Sequence, residues 1–563
     1  MTATVESPAA GSGLWRRQLD HYPDTRPRMG YLAIVVVATI ALYYANYIPG
    51  AVAPSIIAHF GMTFSTYVYI IVIANAVGAF GSLAAGLADR WGRANLVAYG
   101  VVIVGLLVLF GVPNAPNTFT YGLMFSLVGV VEGVILVATP ALVRDFSPQL
   151  GRASAMGFWT LGPVLGSLVV AVVSSNTLNH LTAWQDQFII CGIAVIIVGL
   201  IAVVGLRELS PQLRDQLMVS MRDRALIEAR ARGLNVGELL KKPWRQMLRV
   251  DIIASAFAIS VFLMIYYTAV GFFTIYFTTL HGFSLSTANS IGNWFWALDA
   301  AALILIGILS DRVRVRKPFM VIGAVGAAVM TIIFLYLGKG TAYSTFVIVI
   351  SILAVFLAIA YAPWMASFTE TVEKRNPALT AHGLAVWGWI IRAVIAISFL
   401  IMPAVVSSMT PLVTYGAQVQ TLSAKYAQEL ATGAAIDPAT QASLQANPAN
   451  PVALVKAVGE IATKFQIGPA QATARLVALS KVPPADLAFL KEHGPQVEAA
   501  AAAAPGEWKN WWWVCVGGEI VFIPLILLMA GRWSPRKARE DEEEHDRVVQ
   551  QEMAKLGGTE LEV

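Results

Sequence analysis

Four ionisable side chains lie near the middle of long apolar stretches of the sequence: Glu132, Asp299, Arg392 and Glu519. An ionisable group in hydrocarbon is costly, and such groups commonly mark ion or solute pathways. Burial favours the neutral form of a carboxyl group, which makes a buried carboxyl a good proton carrier near neutral pH. We predict that Glu132 takes part in proton coupling or solute contact. A structural carboxyl bonded to neighbouring helices is the alternative.

Asp299 and Arg392 are predicted to lie at the same depth. A helix rises about 1.5 Å per residue, which places Asp299 about 18 Å from Asp311 at the end of its apolar stretch. Arg392 is a similar number of residues into a stretch that begins on the same side. The two charges could pair, each offsetting the desolvation of the other. The pair would either break when a solute or proton arrives or form a permanent bridge. Glu519 is expected to turn inward to a polar partner.

Aromatic and amide side chains accompany these charges. Tyr and Trp rings can enclose a partly apolar solute while their polar atoms form hydrogen bonds. Ordinary helix packing or anchoring at the membrane interface is the alternative for each of them. The candidates for a solute-binding wall are Tyr43, Asn46, Tyr47, Tyr266, Tyr267, Tyr361 and Trp364.

Twelve apolar runs must position these residues. Only 13% of the 563 residues are charged, compared with about 25% in soluble domains. Most runs exceed the roughly 20 residues that cross about 30 Å of hydrocarbon as a helix. We predict an all-α membrane protein with twelve transmembrane helices in two six-helix bundles. The runs are 30–58, 66–88, 94–112, 119–143, 152–175, 185–206, 250–280, 284–309, 317–338, 342–369, 380–409 and 511–531.

Positive charge is concentrated in alternate connections. Residues 1–29 contain four arginines, and residues 207–249 contain ten Arg or Lys. The intervening short loops, such as 59–65 and 113–118, contain none. Positive charge marks the cytoplasmic side, which predicts cytoplasmic termini in a plasma or inner membrane protein. Basic residues that follow topology do not form a face for nucleic acid.

Two charged turns occupy equivalent places between apolar runs. "AAGLADRWGRAN" (residues 84–95) separates the second and third runs, and "GILSDRVRVRK" (residues 307–317) separates the eighth and ninth. Asp89 and Asp311 match in position, which indicates an internal repeat of the kind found in transporters. The first turn resembles the G-x-L-A-D-R-x-G-R-R/K signature of the major facilitator superfamily. The matching residues are Leu87, Ala88, Asp89, Arg90, Gly92 and Arg93.

This resemblance covers roughly residues 30–409 and 509–532. It implies two bundles that rock around a central site lined by spans 1, 4, 7 and 10, with spans 8 and 11 at the bundle interface. It also implies that the aspartate of the turn meets a helix of the other bundle and latches one conformation. The latch candidates are Asp89, Arg90, Gly92, Arg93, Arg144, Asp311 and Arg312. Gly92 permits a tight bend, and Asp89 could pair with Arg93 four residues later. A merely solvated loop that sets topology is the alternative.

Three segments lie outside the bundles. Residues 207–249 are expected to form an amphipathic linker on the cytoplasmic surface, in contact with the lipid bilayer. Residues 410–508 are predicted to form a helical extracytoplasmic insert between spans 11 and 12, with helix starts at the capped prolines Pro438, Pro451 and Pro484. An apolar stripe marks one helix of the insert: Leu454, Val458, Ile461 and Phe465. The predicted segments are 1–29, 30–206, 207–249, 250–409, 410–508, 509–532 and a charged cytoplasmic tail, 533–563.

These features predict a secondary active transporter that moves a small organic metabolite by alternating access, with proton coupling. Proton-driven efflux of drugs or lipophilic compounds is the alternative within transport. A non-transporting receptor or assembly protein, with a protein partner bound to 410–508, is the alternative from another class. The chain lacks a phosphate-cradling lysine loop and metal-ligand spacing, so no enzymatic activity, cofactor or metal is predicted. Arg392 could hold a carboxylate, but three acids outnumber it and leave the charge of the solute open.

Overall fold

The computed structural model is almost entirely helical. It describes Trp15, residues 17–81, 91–147, 161–213, 243–313, 315–375 and 380–529, and parts of 531–551. Its elements are β1 (Gln18–Leu19), α1 (Thr25–Ala51), α2 (Ala53–Phe60), α3 (Phe64–Gly81), α4 (Arg93–Leu106, extended by a π-helical turn, Leu107–Gly111), α5 (Thr118–Phe146), α6 (Gly162–Thr177), α7 (Trp184–Gly205), β2 (Glu208–Leu209), α8 (Pro243–Met247), α9 (Val250–Phe262), α10 (Met264–His281), α11 (Leu285–Val313), α12 (Lys317–Leu335), α13 (Tyr343–Arg375), α14 (Thr380–Val405), α15 (Met409–Thr414), α16 (Gly416–Lys425), α17 (Ala427–Ala434), α18 (Pro438–Ala446), α19 (Pro451–Phe465), α20 (Pro469–Ser480) and α21 (Pro484–Leu525, followed by a 3₁₀ turn, Ile526–Leu528).

Eleven helical stretches among the described residues are long and apolar enough to cross a membrane. Helices α9 and α10 together form one of these stretches, Val250–His281. Helix α6 has only 16 residues. It covers the second part of the predicted span 152–175, whose first part lies outside the described residues. The helical fold is therefore as predicted, and the twelfth span stays a prediction.

Glycines allow the helices of the first half (residues 25–206) to approach closely. A methyl group on Gly133 of α5 would collide with the carbonyl oxygen of Gly78 on α3, and one on Gly166 of α6 would collide with Tyr43 on α1. The second half comprises residues 250–406 and 508–528. The halves meet where α1 packs against α10, α6 against α11, and α3 against α14. These contacts bring side chains of both halves to a common centre.

A two-stranded parallel ladder ties the N-terminal segment to the chain that follows α7. Gln18 pairs with Glu208, and Leu19 pairs with Leu209. Arg17 is buried, and its guanidinium donates to the carbonyl oxygen of Ala202 at 2.9 Å. The sequence analysis did not predict these strands, because two residues are too short for an alternating pattern.

Residues Ser407–Glu507 form a compact unit of their own. One apolar cluster contains Ile436, Ala457, Ile461 and Ala472, with Val458 and Phe465 of the predicted stripe packed against it. The predicted helix starts at Pro438, Pro451 and Pro484 are confirmed. The Asn450 side chain accepts hydrogen bonds from the backbone N–H groups of Val452 and Ala453 at 3.1 and 3.2 Å, as an N-cap does.

Several predicted features lie outside the described residues. They are Asp89 and Arg90 of the first charged turn, the side chain of Arg144, residues 214–242 of the linker, and most of the tail.

Candidate solute-binding site

Glu132 lies on α5 beside the close crossing of α3 and α5. Its side chain is 5% exposed. Its Oε1 atom has no hydrogen-bond partner in the part of the chain that the structure describes. A buried polar atom without a partner is unusual in a folded protein. This atom therefore marks a place where a proton, water or solute can be accommodated.

Arg392 on α14 reaches toward Glu132 from the other half. The guanidinium acts electrostatically on Glu132, Tyr43 and Tyr267. Among the described residues, no salt bridge within 4 Å joins Arg392 to Glu132 or to Asp299. Glu132 and Arg392 thus face each other across the boundary between the halves, and no ion pair joins them among the described residues.

Asp299 does not form the pair with Arg392 that its depth suggested. Its side chain is 4% exposed. No charged neighbour acts on its carboxyl group among the described residues. Asp299 acts instead on the hydroxyl groups of Tyr266 and Tyr361. The permanent bridge is thus not found among the described residues, because helix rise fixes the depth of a residue and not the direction in which its side chain points. A pair that forms in another conformation stays a prediction.

The structure brings five of the predicted tyrosines together. The Tyr43 and Tyr47 rings lie 5.4 Å apart, and the Tyr266 and Tyr267 rings 5.2 Å apart. Tyr43 acts electrostatically on Tyr47, Tyr266 and Tyr361. Together with Glu132, Asp299 and Arg392 they form what we call the central cluster.

The two remaining wall candidates differ in how they relate to the central cluster. Trp364 is fully buried inside the second half, where its indole N–H donates to Ser255 Oγ at 3.1 Å and its ring lies 5.4 Å from that of Trp387. Its ring also stacks on that of Tyr361, with centroids 5.9 Å apart, so Trp364 borders the central cluster from inside the second half. Asn46 is half-buried, and no side-chain contact links it to the cluster in the described residues.

Glu519 turns into the second half, as predicted. Its side chain is fully buried, and Oε1 accepts a hydrogen bond from Thr331 Oγ1 at 2.8 Å. Glu519 also acts electrostatically on Cys515, which lies on the same helix. Glu519 is thus a buried carboxyl group that does not belong to the central cluster.

A small cavity of about 40 Å³ lies between the halves beside the central cluster. Trp296, which the sequence analysis missed, lines it and contacts Tyr266, with ring centroids 4.9 Å apart. Its spacing of three residues from Asp299 places both on one helix face and could have revealed it. The lining residues are Tyr47, Gly50, Ala51, Ser167, Val170, Ala171, Ala269, Val270, Phe273, Thr274, Ala288, Asn289, Gly292 and Trp296.

Hydrogen bonds join the halves at one end of this cavity, which we call the far end and define by Gly50, Ala51, Ser175 and Thr274. Thr274 Oγ1 donates to the carbonyl oxygen of Gly50. Asn289 Nδ2 donates to the carbonyl oxygen of Ala51 at 2.9 Å. Ser286 Oγ and Asn293 Nδ2 donate to the Ser175 carbonyl and hydroxyl oxygens at 2.6 and 3.0 Å. The far end of the cavity is closed by these contacts.

A family model for the Major Facilitator Superfamily matches residues 35–398. The chain belongs to this superfamily. It is therefore an integral membrane protein with the fold of a transporter and not of an enzyme.

Individual members of the superfamily are only distantly similar. The "MFS transporter asaE" of Aspergillus flavus is 26% identical over 189 residues, which cover 32% of this chain and 40% of that protein. The chain thus aligns with about two fifths of the length of this relative.

Two solved structures share the fold. Both are of a bacterial homologue of the human lysosomal transporter Spinster. Its inward-facing, occupied structure has a TM-score of 0.57 and 15% identity, over 89% of this chain and 97% of that chain. Its inward-facing, unoccupied structure has a TM-score of 0.54 and 17% identity, over 91% and 100%.

The first superfamily turn is braced from two directions. Gly92 has φ +88°, a conformation that favours glycine. The Glu208 carboxylate accepts from the backbone N–H groups of Arg93 and Ala94 at 2.6 and 3.4 Å. The Arg93 guanidinium forms an ion pair with Asp145 at 2.6 Å. Glu208 and Asp145 were not predicted, and the pairing of Asp89 with Arg93 stays a prediction.

The second turn is organised around Arg316. This guanidinium forms ion pairs with Asp311 at 2.7 Å and with Glu370 at 3.1 Å. It also donates to Ser310 Oγ at 2.8 Å. Arg312, the predicted latch residue, is exposed to solvent. The ion pairs of this turn therefore centre on Arg316 in this conformation.

Proposed function

We propose that this transporter moves a small organic solute by alternating access and that protons drive the movement. The observation that carries the proposal is the central cluster. Glu132 comes from the first half, Asp299 and Arg392 come from the second, and tyrosines of both halves lie among them. Ionisable groups between two repeats at mid-membrane depth are the usual site of solute and ion coupling in secondary transporters.

Glu132 is the proposed proton carrier. It is buried and faces Arg392 across the boundary between the halves. When Glu132 takes up a proton, its attraction to Arg392 disappears. Because the two residues belong to different halves, a change in this attraction alters how favourably the halves approach each other. Proton binding thereby acts on the rocking motion itself.

The proposed topology has twelve spans, the fifth of which comprises α6 and the residues before it. The protein is proposed to lie in the plasma or inner membrane, with both termini in the cytoplasm. The arginine-rich connections support this orientation. The far end is then extracytoplasmic, so the conformation described here is closed to the outside. The inward-facing state of the Spinster homologue is consistent with this assignment. The insert between spans 11 and 12 is extracytoplasmic in the same topology.

The charged turns are proposed as the conformational latch on the cytoplasmic side. The candidates remain Asp89, Arg90, Gly92, Arg93, Arg144, Asp311 and Arg312. The ion pairs of Arg93 with Asp145 and of Arg316 with Glu370 hold each turn against a helix end of its own half. They position the turns, and the contact between the bundles stays a proposal.

The test is transport of labelled metabolites into proteoliposomes with an imposed pH gradient. We expect at least one solute whose flux follows the gradient and collapses with a protonophore. Coupling free energies between sites are about 1–3 kcal/mol, so Glu132→Gln should lower the gradient-driven flux by about fivefold or more. Solute exchange without a gradient should persist, because glutamine resembles the protonated side chain.

The matched control is Glu519→Gln, which alters a second fully buried carboxyl group outside the central cluster. Its gradient-driven flux should equal that of the unaltered protein. Gradient-driven flux that survives Glu132→Gln unchanged would remove this residue from proton coupling. Flux that never responds to the gradient would overturn the proposed function.

A further inference from the structure

The numbers of mid-membrane acids and arginines, three and one, do not determine the charge of the solute. The structure shows that the three acids have different surroundings. Glu519 is bonded to Thr331 outside the central cluster. Arg392 acts on Glu132 and on two tyrosines. Asp299 is left as the acid of the cluster without a cationic neighbour among the described residues.

An uncompensated carboxylate in a buried site is unfavourable unless a proton or a cation accompanies it. No hydrogen bond or ion pair to Asp299 is formed within the described part of the chain. The described residues therefore do not satisfy this group. A positively charged solute could do so.

The surroundings of Asp299 are suited to a cation. Trp296 lies one turn before Asp299 on the same face of α11, and its ring lies 4.9 Å from the Tyr266 ring. Aromatic faces attract ammonium groups, most strongly in desolvated sites. The Tyr266 hydroxyl is buried and has no hydrogen-bond partner among the described residues. A carboxylate, two aromatic rings and a free hydroxyl group thus converge around one position.

The adjoining cavity is suited to an apolar body. Gly292 and Trp296 line it from the helix face that carries Asp299, and most of its other walls are Ala, Val and Phe side chains. Its polar groups Thr274 and Asn289 are already bonded to the carbonyl oxygens of Gly50 and Ala51. Ser167 Oγ is buried and has no hydrogen-bond partner within the described part of the chain. Apolar side chains outnumber the remaining polar groups of its wall, such as the Tyr47 hydroxyl and Ser167 Oγ, so the cavity suits an apolar body better than a solute with many hydroxyl groups, such as a sugar.

Building on the proposed transport function, we infer that the solute is an organic amine. Its ammonium group binds between the Asp299 carboxylate and the rings of Trp296 and Tyr266, and its apolar body occupies the cavity next to Ser167. The opposite charges of Glu132 and Arg392 continue to compensate each other when the amine is bound. An anionic solute would have to displace Glu132 from Arg392 and would leave Asp299 unsatisfied.

The test compares ligands that differ only in the head group. The purified full-length protein is titrated calorimetrically with 2-phenylethylamine, 2-phenylethanol and phenylacetate, and with the same head groups on cyclohexyl and indolyl bodies. We expect binding by amines and none by the matched alcohols and carboxylates. Tighter binding of an alcohol or carboxylate than of its matched amine, or no binding by any amine, would overturn the inference.

Two variants identify the position of the ammonium group. Losing a hydrogen bond to a charged group weakens binding by about tenfold to a hundredfold, which is the effect expected for Asp299→Asn. Glu519→Gln should bind amines like the unaltered protein. Unchanged amine affinity in a folded Asp299→Asn protein would overturn the site.

If Asp299→Asn does not fold, Trp296 provides the test. Trp296→Leu removes the aromatic face and should weaken amine binding by about threefold to tenfold, whereas Trp296→Phe should retain most of it. Equal affinity of both variants with that of the unaltered protein would overturn the site.

These binding measurements use no pH gradient, so their outcome does not depend on whether transport is driven by protons. Amine binding without gradient-driven flux would reject proton-driven transport and leave the amine site. Gradient-driven flux of a solute that carries no amine would reject the amine site and leave proton-driven transport.

Discussion

At the scale of single residues, Gly50 determines how closely the halves can approach at the far end. A methyl group at this position would collide with the carbonyl oxygen of Val270 on α10. The same glycine also accepts the hydrogen bond from Thr274. One backbone contact between α1 and α10 therefore depends on the absence of a side chain.

Gly50→Ala should open the far end. Overpacking a close contact costs about 1–3 kcal/mol, which shifts a two-state equilibrium by about fivefold to 150-fold. The measurement is the distance between spin labels on Thr182→Cys and Lys339→Cys, two exposed far-end positions on different halves. We expect the distribution to move toward longer distances.

The control is Gly271→Ala on α10, where an added methyl group would meet no atom within 4 Å. Its distance distribution should match that of the parent protein. An unchanged distribution in Gly50→Ala would mean that this contact does not limit closure.

Residue types and depths in the central cluster could be predicted from the sequence, and side-chain directions could not. Glu132, Asp299 and Arg392 were found because charges are rare in apolar runs. The partner of Arg392 depends on the rotation of α11 and α14 about their axes, which the packing of a whole bundle determines. The direction of Trp364 was equally open from the sequence: its ring stacks on Tyr361 of the cluster, and its indole N–H donates to Ser255 inside the second half.

At the scale of elements, the helices follow from run length because backbone groups in lipid must be satisfied within the helix. The short elements follow from tertiary contacts. Strands β1 and β2 have two residues each and exist because the chain before α1 meets the chain after α7. Their pairing places Glu208 at the first turn of α4, where a carboxylate stabilises free N–H groups and the positive end of the helix dipole.

Glu208→Ala should loosen the start of α4. Losing an N-terminal cap costs about 1–2 kcal/mol, so hydrogen exchange of the Arg93 and Ala94 amides should become about fivefold to thirtyfold faster. Glu498→Ala is the control, because Glu498 is an exposed acid without a contact among the described residues. Equal exchange rates in Glu208→Ala and this control would show that the carboxylate does not cap the helix.

At the scale of the whole molecule, every residue of the central cluster lies between Tyr43 and Arg392, and the compact unit Ser407–Glu507 contributes none of them. That unit has its own apolar clusters, one around Ile461 and one around Tyr426. The composition of residues 410–508 predicted its helical character, because capped prolines mark helix starts in any environment. Composition carries no information about what such a unit contacts.

Replacing Ser407–Glu507 with a short Gly/Ser linker should leave a working transporter. The central cluster and the far-end contacts stay intact, and changing the length of a connection alters closure entropy by only about 0.6 kcal/mol per doubling. Gradient-driven flux should therefore stay within about threefold of the full-length rate. Loss of this flux in a variant with unchanged helicity and thermal midpoint would show that transport depends on the unit. The receptor hypothesis would then regain support, because it places the activity in residues 410–508.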